Sequence, residues 1–231
     1  MQEHIFPRSH SAWPLVSFYG DGEQWLGHAL VDFFDSGALT GPRTELCRIM
    51  TEENSDKGGS FNYKDESWDI TFSHNYTLFY HFLFRDRRYE ITSVFELGLG
   101  TNFTDVPSNM GFTATPGASL RGWRRYFPRA QIFGADIDMR ILFSEERIST
   151  FYVDQLCENE INDLWRKLPD ECFDIMIDDG LHSFDANISF FQASIQKIRT
   201  NGYYIIEDIW MDPGNLHKYH EYFSRRAESG E

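Results

Sequence analysis

Cysteine is scarce in this chain, and so is positive charge. Three cysteines occur in 231 residues, Cys47, Cys157 and Cys172, without CxxC spacing. That argues against a disulfide framework and a cysteine zinc site, and for a reducing, cytoplasmic setting. Only 21 basic side chains stand against 36 acidic ones, a formal charge of −15. The resulting field repels phosphate backbones and anionic lipid, which argues against nucleic acid or a membrane as partner. No apolar run approaches the roughly 18 residues that a membrane span needs. At the start, Glu3, Pro7 and Arg8 stand where a signal peptide wants an apolar stretch. Ring surface, by contrast, is plentiful. Aromatics make up 16% of the chain, enough to offset chain entropy on burial, so the chain is expected to fold.

The length suits one good-sized domain with an N-terminal extension, and the texture changes near residue 90. In the first part, Trp25, Leu26, Ala29, Leu30 and Phe33 fall at helical spacing before Gly37 and predict a helix over 21–36. Residues 51–70 are polar and glycine-punctuated and read as loop; residues 73–84 read as an aromatic helix that packs on the main domain. Exposed aromatics in this extension point to self-association as a homo-oligomer. From residue 91 onward, short apolar runs at 92–97, 131–136, 149–153, 173–177 and 202–207 alternate with helical stretches at 118–126, 139–146, 158–168 and 184–199. That alternation predicts an α/β doubly wound, mostly parallel sheet, whose ligands bind at the carboxyl ends of the strands. Residues 1–90 then serve as extension and lid, and 91–231 as the ligand-binding domain. Few and polar residues follow Ile209, so the sheet is expected to be incomplete or to be finished by a partner chain.

The strand tips carry the chemistry. After the first comes Glu96-Leu-Gly98-Leu-Gly100, an acid and a glycine turn that lets backbone approach a ligand. The second ends on Asp136, where a ribose diol would be gripped. The third ends at Asp154-Gln155, an acceptor and an amide able to read an adenine edge. Helix N-caps at Asp136 and Asp154 are the structural alternative. The fourth and fifth end in Asp178-Asp179-Gly180-Leu181-His182 and Glu207-Asp208. Four carboxylates at neighbouring tips repel one another unless a cation neutralises them. A hard divalent ion with oxygen ligands suits them, and magnesium leaves positions open for substrate oxygens. His182 is close enough in sequence to take a proton from a hydroxyl that the metal polarises.

Read together, these tips resemble a class I S-adenosylmethionine-dependent methyltransferase with a Rossmann-like sheet. More specifically, Ser55-Asp56-Lys57-Gly58, His74-Asn-Tyr76, Tyr80, IDDGLH at 177–182 and IIEDI at 205–209 resemble the macrocin and mycinamicin sugar O-methyltransferases of the TylF type. The resemblance implies Mg2+-dependent methyl transfer from S-adenosylmethionine to a hydroxyl of a sugar-containing small molecule. It implies Asp179, Glu207 and Asp208 as metal ligands and His182 as base. It places Glu96, Gly98 and Gly100 at the methionine end of the cofactor and Asp136 on its ribose. A nicotinamide-dependent dehydrogenase fits poorly, because the third glycine of GxGxxG is replaced and Asp136 lies far beyond the expected spacing of about 20 residues. A non-catalytic S-adenosylmethionine-binding interaction protein is the other alternative.

Overall fold

Short apolar runs with side chains alternating between two covered faces dictate the architecture. The computed structural model describes residues 12–18, 44–58, 60–62, 67–69, 76–112, 114–168, 170–210 and 212–229. The helix expected over 21–36 lies outside these residues, as do positions 73–75 of the aromatic helix. Strand β1 spans Ala12–Phe18, β4 Ser93–Leu97, β5 Gln131–Asp136, β7 Ile148–Tyr152, β8 Phe173–Asp178 and β9 Ile198–Trp210. The last five run parallel in the order β9-β8-β4-β5-β7. A small separate hairpin pairs β2 (Ser60–Asn62) with β3 (Ser67–Asp69).

Successive strand residues point to opposite faces, and here both faces are apolar, as in sheets covered on both sides. Val94, Ile175, Ile177, Tyr203 and Ile205 join one core with Tyr80, Phe84 and Trp123. Phe95, Met176, Tyr204 and Ile206 join the other with Trp165, Phe190 and Phe191. The first core is covered by α1 (Glu45–Glu52), α2 (Thr77–Phe84) and α3 (Ala118–Tyr126), the second by α4 (Glu158–Lys167) and α5 (Phe184–Ser194). Tyr219 of α6 (Pro213–Ser229) reaches the second core. Helix α1 starts on Thr44, whose hydroxyl accepts from the Cys47 amide and so satisfies a first-turn donor. Helices α1 and α3 meet closely: a Cβ on Gly122 would lie 2.2 Å from Met50 Sδ.

Four expectations are corrected. The C-terminal shortfall is made good from the same chain, because β1 lies antiparallel along the outer edge of β9. Residues 51–70 are not simply loop; they hold the end of α1, a 3-10 turn at Asp56–Gly58 and the β2/β3 hairpin. Residues 139–146 form no α-helix. A single 3-10 turn, Met139–Ile141, is capped by Asp138, and β6 (Ser144–Glu145) then folds back antiparallel on β7, with Arg147 at φ 59° making the reversal. Helix α5 gives way to a 3-10 turn at Ile195–Lys197 and then directly to β9, so strand begins where helix was expected to continue. No helix among the described residues is long and apolar enough to cross a membrane.

Candidate functional site

A cavity of about 230 Å³ opens at the carboxyl ends of the strands, where the chain crosses from one side of β4 to the other. A wider depression of about 410 Å³ between α5 and α6 is open to solvent and carries none of the predicted site residues. Gly98 shapes the floor of the first. Its φ is 88°, and a Cβ there would lie 2.0 Å from the Asp179 carbonyl oxygen. Only glycine satisfies both the conformation and the contact. The turn is tied to both neighbouring strands by Gly98 N–H to Ala135 O at 2.8 Å and Asp179 N–H to Leu97 O at 2.9 Å.

Gly98, Gly100, Asp136, Asp154 and Gln155 all line this cavity, but Glu96 does not. Its fully buried carboxylate accepts from Ser119 Oγ at 2.6 Å and from Trp123 Nε1. Burial pushes its pKa up against the pull of Lys57. Glu96 thus ties α3 to β4, and its expected place at the methionine end of the cofactor stays a proposal. Asp136 accepts from Leu99 N–H at 2.7 Å and Asp138 N–H at 2.8 Å. A carboxylate has about four acceptor sites, so two remain for a diol. Asp154 keeps one oxygen on Leu156 N–H at 2.9 Å. Gln155 is committed elsewhere: its amide donates to both oxygens of Asp178 at 2.8 and 2.9 Å and accepts from Leu181 N–H at 2.9 Å. Both amide protons are thereby taken while the carbonyl keeps one acceptor site, and the expected reading of an adenine edge stays a proposal.

The acidic tips divide their labour. Asp178 is buried and clasped by Gln155 and by Asn187 Nδ2 at 3.0 Å; burial pushes its pKa up to about 6. Asp179, His182 and Asp208 line the cavity, and each can bring one ligand atom to within 4.8 Å of the others. His182 Nε2 lies 3.8 Å from Asp208 Oδ2, while its Nδ1 is buried without a partner. Both His182 and Asp208 are held in the left-handed region, at φ 57° and 55°. For non-glycine residues that is strain of the kind concentrated at functional sites. Two carboxylates and an imidazole fit a hard divalent ion that keeps several positions for water or substrate oxygens.

Glu207 lies outside this trio. It is fully buried, with one oxygen on Tyr80 Oη and the other on Lys57 Nζ. Lys57 also reaches Asp179 Oδ2 at 2.5 Å and lies 3.8 Å from Glu96 Oε1. Burial works against the ammonium, but the surrounding carboxylates outweigh it and hold Lys57 charged. Tyr76 Oη donates to Asp208 Oδ1, and burial beside that acid raises the phenol's pKa. Asp179, Glu207 and Asp208 thus each carry a partner from before residue 90, and their expected role as metal ligands stays a proposal. Sequence reasoning singled out Lys57, Tyr76 and Tyr80 as a motif but not as partners of the acids, since that pairing exists only once α2 packs on the sheet. It also passed over Ile137 and Leu156, exposed apolar side chains on the cavity wall. Each directly follows a strand-tip polar residue, the one signal that could have found them.

No protein-family model matches the chain. Mycinamicin VI 2''-O-methyltransferase of Micromonospora griseorubida is 36% identical over 140 residues, 60% of this chain and 32% of that protein. Demethylmacrocin O-methyltransferase of Streptomyces fradiae is 34% identical over 137 residues, 59% of this chain and 32% of that protein. The resemblance read from the motifs is a homology. In structure, the chain matches the MycE methyltransferase of the mycinamycin biosynthetic pathway, solved with Mg, SAH and mycinamycin VI. That match has a TM-score of 0.56 at 30% identity and covers 75% of this chain and 42% of that one. The chain thus spans about a third of the length of these curated relatives.

Proposed function

We propose that this chain is an S-adenosylmethionine-dependent O-methyltransferase that acts, with Mg2+, on a hydroxyl of a sugar-containing small molecule in the cytoplasm. The observation that carries the reading is the convergence of Asp179, His182 and Asp208 on the edge of the strand-tip cavity. The sugar O-methyltransferase names of the relatives and the Mg and SAH of the MycE complex support it.

In this reading Asp136 grips the ribose with its two remaining acceptor sites, and Ile137 and Leu156 offer apolar surface to the adenine. The Gly98–Gly100 turn leaves room for the methionine end. Asp179, Glu207 and Asp208 would hold the ion. When bound, S-adenosylmethionine supplies the methyl and keeps the broken bond's electrons on sulfur, while Mg2+ polarises the acceptor oxygen. His182 takes the hydroxyl proton as the new oxygen–carbon bond forms. Beyond that, the site contributes alignment, which dominates a displacement on a sulfonium methyl.

The test is calorimetric titration with S-adenosylmethionine, with and without Mg2+, followed by mass-spectrometric screening of nucleotide sugars, glycosides and glycosylated natural products for a gain of one methyl. Cofactor binding with Mg2+-dependent methylation supports the reading. Absence of cofactor binding, or methylation undiminished in chelator, overturns it.

A further inference from the structure

His182 is held by its backbone more than by its side chain. Among the described residues its Nδ1 has no partner, and its Nε2 stands 3.8 Å from Asp208 Oδ2, beyond a hydrogen bond. Yet its φ of 57° is a conformation that a residue with a Cβ keeps only where its surroundings over-determine it. The restraint comes from the residues just before it. Asp179 N–H bonds Leu97 O at 2.9 Å, and Leu181 N–H bonds Gln155 Oε1 at 2.9 Å. Behind Gln155 stands Asp178, which accepts from its amide at 2.8 and 2.9 Å and from Asn187 Nδ2 at 3.0 Å. Asn187 Oδ1 in turn accepts from Tyr219 Oη at 2.6 Å. All four of these side chains are buried, so no solvent competes for their bonds.

We propose that Gln155 is a positioning residue that, braced by Asp178, fixes the Gly180–His182 turn and so aims the His182 imidazole at the acceptor hydroxyl. The proposal rests on the reading of His182 as the base. It accounts for two residue choices. An ionised Asp178 can only accept and the Leu181 N–H can only donate, so the side chain between them must offer a donor to one and an acceptor to the other; an amide does this and a carboxylate does not. A Cβ on Gly180 would lie 2.3 Å from Gln155 Oε1 and would push that carbonyl off the Leu181 amide.

The test is amide hydrogen exchange of residues 179–183, read by mass spectrometry on the full chain. Beside it are measured cofactor affinity, the thermal midpoint, and turnover at saturating S-adenosylmethionine on an acceptor from the methylation screen. Gln155→Leu keeps the bulk and removes the bonds. Its exchange in that segment should quicken about fivefold or more, the worth of about one hydrogen bond in a local opening, and turnover should fall with it. Gln155→Glu sets two buried carboxylates against each other and should loosen the turn further while lowering the midpoint. The reciprocal pair Gln155→Glu/Asp178→Asn restores the bonds with roles exchanged. The new amide at 178 donates to the new carboxylate at 155, which still accepts from Leu181 N–H, and the new carbonyl at 178 accepts from Asn187. That pair should return exchange and turnover to within about threefold of wild type, a rescue that lost packing alone would not give. If Gln155→Leu weakens cofactor binding but leaves exchange and saturated turnover at wild-type values, Gln155 serves the cofactor alone and the proposal is overturned. A reciprocal pair as loose and as slow as Gln155→Glu also overturns it. If His182→Ala turns over as fast as wild type, the base reading itself is what has failed.

Discussion

His182 combines two properties that mutation can separate. As the proposed base it should be worth about 10² to 10⁴ in rate, so His182→Ala should lower turnover by that factor while cofactor affinity, measured by calorimetry, stays near wild type. As a residue at φ 57°, it carries a left-handed backbone that costs a non-glycine residue about 1–2 kcal/mol. His182→Gly should therefore be more stable to urea than His182→Ala by about 1 kcal/mol, with both equally inactive. Asp138 gives a pH signature. It accepts from Thr101 Oγ1 at 2.6 Å and Arg140 Nε at 2.7 Å. The Arg140 guanidinium, with Thr101, depresses its pKa to about 2. A depressed carboxyl adds stability that is full above the unfolded pKa of about 3.9 and is lost as pH falls toward 2. Asp138→Asn should therefore be less stable than wild type near neutrality, and the gap between their denaturation midpoints should narrow from about pH 4 downward. At this scale the strand-tip acids were legible because their positions follow from apolar runs alone. The duties of Glu96 and Gln155 were not, since a residue's hydrogen-bond partners across the fold leave no local pattern.

Among the elements, the segment after the glycine turn is the one whose role the structure makes most concrete. Val106, Pro107, Ser108 and Met110 form part of the cavity wall. Arg140 secures the same segment. Its guanidinium bonds Asp105 at 3.0 and 3.2 Å and lies 3.9 Å from the centroid of the Phe103 ring. Arg140→Met should loosen the wall, so stopped-flow measurement should show faster release of S-adenosylhomocysteine, with the thermal midpoint near neutrality lowered as in Asp138→Asn. A release rate equal to wild type would mean that the wall holds without its arginine. How well elements could be read varied with their physics. Helix α3 falls where its spacing puts it, because Leu120, Trp123 and Tyr126 form one buried stripe. Met139, Leu142 and Phe143 fall at helical spacing, yet the Asp138 cap and the reversal at Arg147 make a turn and short strand of that stretch. Strand β1 was invisible because Pro14 interrupts its alternation. Proline is tolerated in an edge strand, and the pairing shifts register between Trp13 and Leu15, on either side of it.

For the molecule as a whole, charge and chain path set the expectations. A formal charge of −15 means self-repulsion that salt screens, so the thermal midpoint should rise from low to moderate NaCl. MgCl2 at matched ionic strength should raise it further, because an ion bound only by the folded state stabilises by linkage. That extra rise should vanish in Asp179→Asn, while the NaCl response remains. The chain path has a consequence in time. β1 pairs with β9 through partners as distant as Ala12 and Trp210, and contacts so remote in sequence form late because the loop between them must first be closed. During synthesis β1 leaves the ribosome before the other described strands of the sheet, and its neighbour among them is β9, the last of them to emerge. Until then β1 is an unpaired, largely apolar segment, the kind of edge on which nascent chains stick to one another. The sheet closes only when β9 arrives to receive it.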